Sequence, residues 1–184
     1  MAKNLSNVVV SGLSGSLGRQ VVLKRDKAGR TIVSAHPTYK PDRVFTALQL
    51  NHQNAFREAV AYALSAQSNK IYAKKAAGTP LSPYNLAVAD WFNSPQILDI
   101  DLAGWTGQPG RRIRVKALDD VLVKQVSVIV TDQAGALLEQ GPATQVDNLW
   151  WEYTTTATGT GVLKVTASAQ DLPGHTAQLT KSSA

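Results

Sequence analysis

The sequence predicts an α+β protein with two domains: a β-hairpin with three helices, followed by an antiparallel β-sandwich. Apolar residues repeat every three or four positions between residues 47 and 92, and every second position from residue 97 onward. The charge changes at the same place, because residues 1–94 carry 12 Lys/Arg and 4 Asp/Glu, whereas residues 95–184 carry 7 and 9. We therefore expect a basic domain over residues 1–94 and the sandwich over residues 95–184.

The composition is that of a folded chain without covalent cross-links. Of its 184 residues 43% are apolar and 17% are charged, whereas a disordered chain of this length would be more charged and poorer in aromatic residues. The chain has no cysteine, which excludes disulfides, zinc-thiolate sites and thiol nucleophiles. Stability must therefore come from packing.

The first domain begins with β-strand patterns. Two β-branched segments, residues 8–10 and 20–24, flank a turn in which glycine recurs every third residue. A phosphate-binding loop would need a Gly-Lys-Ser/Thr ending and a following helix, and the sequence has neither. Residues 26–30 form a turn in which Gly29 can take positive φ, so residues 31–34 complete a hairpin with residues 20–24.

Three helices follow the hairpin. The first is predicted over residues 47–65 with Thr46 as its N-cap, the second over residues 69–77, and the third from Ser82. The first helix has apolar residues at helical spacing, namely Leu48, Ala55, Phe56, Ala59, Val60, Ala63 and Leu64. This spacing predicts one packed face.

The second domain reads as short strands. From Ile97 the apolar residues alternate with polar ones, and turn sequences at residues 108–110, 132–135, 159–161 and 172–174 separate the segments. Several short strands without a helical pattern are typical of an antiparallel sandwich. The valine rows, Trp151 and Tyr153 are expected in its core.

Four segments of this domain resemble the bacterial immunoglobulin-like repeat, and they are residues 112–120, 123–131, 150–153 and 165–177. The last segment contains the closing pattern of that family, with His175 at the position where asparagine is usual. The resemblance implies an immunoglobulin-like sandwich. Members of the family serve mostly as adhesive, spacer or assembly modules in surface and phage proteins and are not catalysts.

The first domain resembles uncharacterised bacterial proteins that have a Gly-rich basic hairpin, a proline-containing link and a Gln/Asn-rich helix. The residues that carry this resemblance are Gly12, Gly15, Gly18, Gly29, Pro37, Gln53 and Phe56. A second, fainter resemblance to the helices of an HMG box, a fold that binds the DNA minor groove, lies in Tyr72, Ala76, Tyr84 and Trp91. The dense Lys/Arg and the wedge residue of that family are missing, so Tyr84 and Trp91 fit a core better.

The sequence contains no pattern of catalytic residues. His36, His52 and His175 are isolated from one another, and no Gly-x-Ser-x-Gly motif is present. We therefore expect no enzyme, no cofactor and no metal. The alternative is calcium, because Asp119, Asp120, Asp132 and Asp171 lie at predicted strand ends and some could meet at one pole of the sandwich. Carboxylates at turns more often accept hydrogen bonds from nearby backbone amides.

Two functional hypotheses follow, and the favoured one is a structural or interaction protein that associates with itself or with another protein. In this hypothesis the Gly-rich N-terminal segment adds to the sheet edge of a neighbour through Val8, Val9, Val10, Leu13 and Leu17. The alternative is binding of nucleic acid or another polyanion by the basic domain. Its candidate residues are Lys24, Arg25, Lys27, Arg30, Lys40, Arg43, Lys70, Lys74 and Lys75.

The sequence also bears on localisation. The apolar run at residues 8–10 is too short for a signal peptide, and no later segment approaches the roughly 20 apolar residues of a membrane span. We expect a cytoplasmic protein by default. Export by a non-Sec route, or incorporation into an extracellular or viral assembly, stays open.

Overall fold

A computed structural model of the protein describes residues 2–4, 12–39 and 41–183. In this part of the chain there are three helices and three antiparallel four-stranded sheets, so the predicted α+β class is confirmed. None of the helices described is long and apolar enough to cross a membrane.

The elements follow one another along the chain as the sequence predicts, first hairpin, then helices, then strands. The N-terminal elements are β1 (Ala2–Asn4), β2 (Gly15–Leu17), β3 (Val21–Arg25), β4 (Thr31–Ala35), α1 (Ala47–Ala66), α2 (Lys70–Ala76) and α3 (Pro83–Phe92). The later strands are β5 (Gln96–Asp101), β6 (Arg112–Leu118), β7 (Gln125–Thr131), β8 (Leu137–Pro142), β9 (Thr144–Gln145), β10 (Trp150–Thr154), β11 (Lys164–Gln170) and β12 (Thr176–Ser182).

Contacts divide the chain into two compact units, Met1–Leu86 and Ala87–Ala184, called here the N-terminal and C-terminal units. The division falls inside α3 and not after residue 94, where the charge changes. The end of α3 makes its contacts within the C-terminal unit: Ala87 and Asp90 are fully buried, and the Asn93 amide donates a hydrogen bond to the Asp120 carboxylate at 2.9 Å.

The N-terminal unit contains the predicted hairpin as β3 and β4, within a sheet of order β1-β4-β3-β2. Its turn is fixed by Asp26, which accepts hydrogen bonds from the Arg30 backbone and guanidinium, while Gly29 takes a φ of 76°. The predicted strand over residues 8–10 lies outside the described residues.

Each helix of this unit begins at a capping residue. Thr46 and Gln49 form a capping box, in which each side chain accepts a hydrogen bond from the backbone N–H of the other residue. The Asn69 side chain accepts from Ile71 N at 2.9 Å, and Ser82 Oγ accepts from Asn85 N at 3.1 Å. Thr46 and Ser82 are the caps that the sequence predicts.

The C-terminal unit is a sandwich of two antiparallel sheets, with strand orders β5-β6-β10-β9 and β12-β11-β7-β8. Alternate residues of both sheets point into one core, as the period of two predicts. The fully buried members include Ile100, Ile113, Val115, Val126, Val128, Leu163, Val165, Ala167 and Ala169, and Trp151 and Tyr153 are buried in the same core, as the sequence predicts.

The buried acid Glu139 links two parts of the sandwich through hydrogen bonds. Oε2 of Glu139 on β8 accepts hydrogen bonds from the Tyr153 hydroxyl (3.1 Å), from Thr156 N (2.7 Å) and Oγ1 (2.8 Å), and from Ala157 N (3.1 Å). Glu139 is only 9% exposed, so these donors compensate the cost of burying its charge. The loop after β10 is thereby held against β8.

Candidate functional site

The N-terminal unit carries large apolar side chains on its surface. Among its described residues, only Leu23 and Tyr72 are both large and buried, together with the small Ala59, Ala63 and Ala76. Exposed instead are Leu13, Leu17, Tyr39, Val44, Leu48, Leu50, Phe56, Leu64 and Leu81. Exposed apolar residues that lie together mark interaction surfaces more often than residues scattered singly.

Helix α1 shows how this surface forms. Its alanines Ala59 and Ala63 are fully buried, whereas Leu50, Phe56 and Leu64 are 46%, 49% and 58% exposed. With about 100° per residue, these three and the partly buried Val60 lie within an arc of about 120°. We call these four residues the α1 stripe. The predicted apolar face thus divides into a packed alanine part and an exposed part with larger side chains.

The residues predicted for assembly lie partly outside the described chain. Val8, Val9 and Val10 are not described, and Leu13 and Leu17 are 48% and 66% exposed. Leu17 belongs to β2, whose backbone pairs with β3 of the same chain. Its side chain is available to a neighbour.

The basic residues predicted for polyanion binding are distributed over several elements. Lys24 and Arg25 are on β3, Lys27 and Arg30 in the following turn, and Lys70, Lys74 and Lys75 on α2, while Lys40 is outside the described residues. Arg30 pairs with Asp26 at 2.6 Å, and the Arg43 guanidinium lies 4.6 Å from the centre of the Phe45 ring. Lys74 and Lys75 occupy the last turn of α2, where cations stabilise a helix end.

The C-terminal unit has a cluster of acids at one pole. One carboxylate oxygen from each of Asp90, Asp119 and Asp120 lies within 4.8 Å of the others. Asp119 and Asp120 also line an open cavity of about 520 Å³, together with Phe92, Asn93, Ser94, Gln96 and Leu118. We call the three carboxylates the acidic pole.

Within the acidic pole, the surroundings of Asp119 disfavour its ionised form. Burial raises the pKa of the Asp119 carboxyl, and the charges of Asp120 and Asp171 raise it further. The amides of Val121 and Leu122 oppose this effect by donating hydrogen bonds to Asp119 Oδ2 at 2.9 and 2.7 Å. Asp119 can therefore hold a proton more readily than a separated, exposed aspartate.

Two of the four aspartates predicted at strand ends come together here. Asp132 instead accepts from Ala136 N in the β7–β8 turn, and Asp171 accepts from Gly174 N and His175 N at 2.7 and 2.6 Å. The sequence analysis did not include Asp90 in this cluster. The pattern that could have indicated it is an acidic residue between Ala87 and Trp91, on the apolar side of a predicted helix.

His175 and Asp171 form a close pair in the same unit. His175 Nδ1 lies 3.4 Å from Asp171 Oδ2, and the imidazole packs edge-on against Trp91 with 4.8 Å between ring centres. Asp171 is fully buried. The imidazole thus contacts both a buried acid and an indole.

No protein-family model matches the chain, and no curated protein matches it. Among solved structures it is similar over part of its length to CopC from Methylosinus trichosporium OB3b, at 15% identity over 48% of this chain and 89% of that one, with a TM-score of 0.38. An engineered protein matches at 18% identity over 54% and 26% of the chains, with a TM-score of 0.34. A conjugative transposon lipoprotein from Bacteroides eggerthii DSM 20697 matches at 12% identity over 48% and 92%, with a TM-score of 0.28. All three TM-scores are below 0.5, so these likenesses assign neither a family nor a function to the chain. The resemblances to the immunoglobulin-like repeat and the HMG box stay predictions.

Proposed function

We propose that the protein is a non-catalytic structural protein that associates with further copies of itself through the α1 stripe. The observation that carries this proposal is the reversal in α1, which buries alanines and exposes leucine and phenylalanine. Burial contributes roughly 25 cal/mol for each Å² of apolar surface removed from water. The free energy of association therefore becomes more favourable as a second copy buries more of the α1 stripe.

The order of strands supports an immunoglobulin-like identity for the sandwich. If β5 to β12 are lettered A, B, C, C′, D, E, F and G, the two sheets read A-B-E-D and G-F-C-C′. This is the arrangement of immunoglobulin-like domains, which present surfaces and edges to partners. In the assembly that we propose, the C-terminal unit serves as a scaffold.

The described contacts of two histidines fit structural roles. His36 Nδ1 is within 3.1 Å of the Pro37 carbonyl oxygen, and the His175 ring packs against Trp91 and lies 3.4 Å from Asp171 Oδ2. We therefore assign no catalytic step to either residue.

The test is the mass of the protein in solution, measured by light scattering and sedimentation over a wide range of concentration. We expect the mass of the wild-type chain to rise with concentration, and the variant Leu64→Glu to shift the distribution toward monomer. Ser65→Glu is the matched control, because it places the same charge on the next, exposed residue of the same helix turn. Far-UV circular dichroism of both variants checks that the helices are intact.

Three outcomes contradict the proposal. The wild-type chain could stay monomeric at all concentrations, or Leu64→Glu and Ser65→Glu could have the same effect. In the third, the mass rises only when DNA is added and the rise disappears with salt, which would favour polyanion binding through the basic residues. The DNA arm is run at two ionic strengths for this reason.

A further inference from the structure

The loop that joins β5 to β6 borders two cavities of the C-terminal unit. The first has a volume of about 400 Å³, and three arginines line it, namely Arg111, Arg112 and Arg114. The second has a volume of about 380 Å³, and its lining includes Trp105, Thr106, Lys181 and Ser182. The cavities adjoin, because Asp101, Ala103 and Gly104 line both of them. We call the two cavities together the arginine groove.

The first cavity carries an excess of positive charge. Arg111, Arg112 and Arg114 are the only arginines of the C-terminal unit, so its guanidinium groups are concentrated here. Glu152 pairs with both Arg112 (3.1 Å) and Arg114 (3.4 Å), and one carboxylate therefore serves two cations. Arg111 is exposed and forms no ion pair with any residue that the structure describes. Three guanidinium groups thus have two carboxylates near them, those of Glu152 and Asp101.

Hydrogen bonds hold the backbone beneath these arginines in place. Thr155 is 1% exposed, and its Oγ1 lies 2.9 and 3.1 Å from the carbonyl oxygens of Gln108 and Arg111. The same hydroxyl accepts from Arg111 N at 3.2 Å, while Gly110 N donates to the Thr155 carbonyl at 2.7 Å. Binding groups on a fixed backbone lose less conformational entropy when a ligand binds.

The second cavity offers hydrogen-bonding groups that are mostly uncharged. Trp105 is only 3% exposed, and its buried Nε1–H has no hydrogen-bond acceptor among the described residues. Thr106 and Ser182 are exposed hydroxyl residues of the same lining. The charge of Lys181 is compensated, because its Nζ lies 3.0 Å from the Asp99 carboxylate. A ligand that supplies an acceptor to the indole N–H would remove the cost of a buried donor without a partner.

We infer that the arginine groove binds a small molecule with an oxyanion group at one end and hydroxyl groups on the rest, the chemistry of a sugar acid or a sugar phosphate. The planar guanidinium donates paired hydrogen bonds to carboxylate or phosphate oxygens, which the ammonium of lysine does not. Asp101 lines both cavities, so its charge disfavours a ligand that is anionic along its whole length, whereas it accepts hydrogen bonds from hydroxyl groups. A ligand with one charged end therefore fits better than a polyanion.

This inference does not depend on the proposed function, because the groove and the α1 stripe lie in different units. Calorimetric titration of the wild-type chain should show binding of glucose 6-phosphate and of glucuronate, and the tighter of the two identifies the preferred acid. Glucose should not bind detectably, and inorganic phosphate should bind more weakly than glucose 6-phosphate. The mass in solution, measured on the same samples, reports on self-association separately.

Arg111→Gln tests the charged end of the groove. It should weaken binding of both acids at least about tenfold, because it removes a charge-assisted hydrogen-bond donor. Lys124→Gln is the matched control, because it removes the same charge from an exposed residue of the same unit that lines neither cavity. Neither variant should change self-association.

A measurement on the wild-type chain keeps the inference falsifiable if a variant folds poorly. The indole N–H resonance of Trp105, assigned by its loss in Trp105→Phe, should shift when glucose 6-phosphate or glucuronate is added. The inference is overturned if neither acid binds, if glucose binds as tightly, if Arg111→Gln and Lys124→Gln act alike, or if the Trp105 resonance does not move. Equal affinity for inorganic phosphate would also overturn it and leave only an anion site, and a response to DNA alone would assign the groove to a polyanion.

Discussion

The two units of the chain differ in where their large apolar side chains lie. In the C-terminal unit, isoleucine, leucine, valine and tryptophan fill one core between two sheets. In the N-terminal unit, the described residues bury mainly alanine, and the larger apolar residues are on the surface. The sandwich is therefore stabilised by its own interior, whereas the N-terminal unit has a small interior and leaves its larger apolar side chains in water.

Two spectroscopic probes report on the units separately. The four tryptophans, Trp91, Trp105, Trp150 and Trp151, are all in the C-terminal unit, so tryptophan fluorescence follows the sandwich. Helices α1 and α2 are in the N-terminal unit, so circular dichroism at helical wavelengths follows mostly that unit. Each variant below is measured with both probes.

The largest effect is expected at Tyr72, which is fully buried and shares a 2.7 Å hydrogen bond between its hydroxyl and that of Tyr62. Truncating a buried aromatic residue costs about 3–5 kcal/mol. Because the described N-terminal unit has few other large buried residues, Tyr72→Ala should remove its cooperative unfolding. The helical signal should melt early while tryptophan fluorescence keeps its wild-type transition.

Tyr72→Phe is the matched control for this prediction. It keeps the ring and removes only the hydrogen bond, so its cost should be near 1 kcal/mol. If Tyr72→Ala leaves the helical transition unchanged, residues other than Tyr72 stabilise the N-terminal unit, and the expected difference between the units is wrong.

A single truncation should affect the sandwich differently. Ile113 on β6 is fully buried within a large core, and Ile113→Ala should lower the free energy of unfolding by about 2–5 kcal/mol. The transition seen by tryptophan fluorescence should move to lower denaturant and stay cooperative. Leu64→Ala, at a position 58% exposed, should change stability by less than about 0.5 kcal/mol in dilute solution. Equal effects of the two variants would contradict the difference between the units.

The regular elements were predictable because they depend on local patterns. The period of two identifies the inward residues of β6, β7 and β11, and Thr46 and Ser82 mark the starts of α1 and α3. Short β9 was not predicted, because two residues are too few to show a period.

What was less predictable depends on the neighbours that each residue meets in the fold. Periodicity identifies the apolar positions of α1, but it does not say that its alanines are packed while Phe56 and Leu64 are exposed. The meeting of Asp90 with Asp119 and Asp120 needs the approach of a helix end to a strand end, and no spacing in the sequence encodes it.

A third prediction concerns acid and the sandwich alone. Burial would raise the pKa of Glu139, but hydrogen bonds from Thr156, Ala157 and Tyr153 outweigh burial and hold the pKa below its ordinary value of 4.5. Its contribution to stability is therefore present above pH 4.5 and is lost as the pH falls through the lowered pKa.

The corresponding variant is Glu139→Gln, which keeps the shape and removes the charge. At neutral pH it should cost about 1–3 kcal/mol, and it should flatten the loss of stability below pH 4.5. Denaturant unfolding followed by tryptophan fluorescence between pH 3 and pH 7 measures both effects. An acid dependence identical to that of the wild-type chain would show that other carboxylates control the sandwich.

Asp119 should show the smallest effect, with the opposite dependence on pH. Because burial, Asp120 and Asp171 raise its pKa above the ordinary value of 3.8, its contribution is fully present below pH 3.8 and is lost as the pH rises through the raised pKa. Asp119→Asn keeps an oxygen for the amides of Val121 and Leu122, so it should stabilise the sandwich at pH 7 by less than about 1 kcal/mol and change little at pH 3. Thermal unfolding of the variant at both pH values measures this, with and without added calcium. Destabilisation at pH 7, or stabilisation of the wild-type chain alone by calcium, would mean that the acidic pole needs its negative charge.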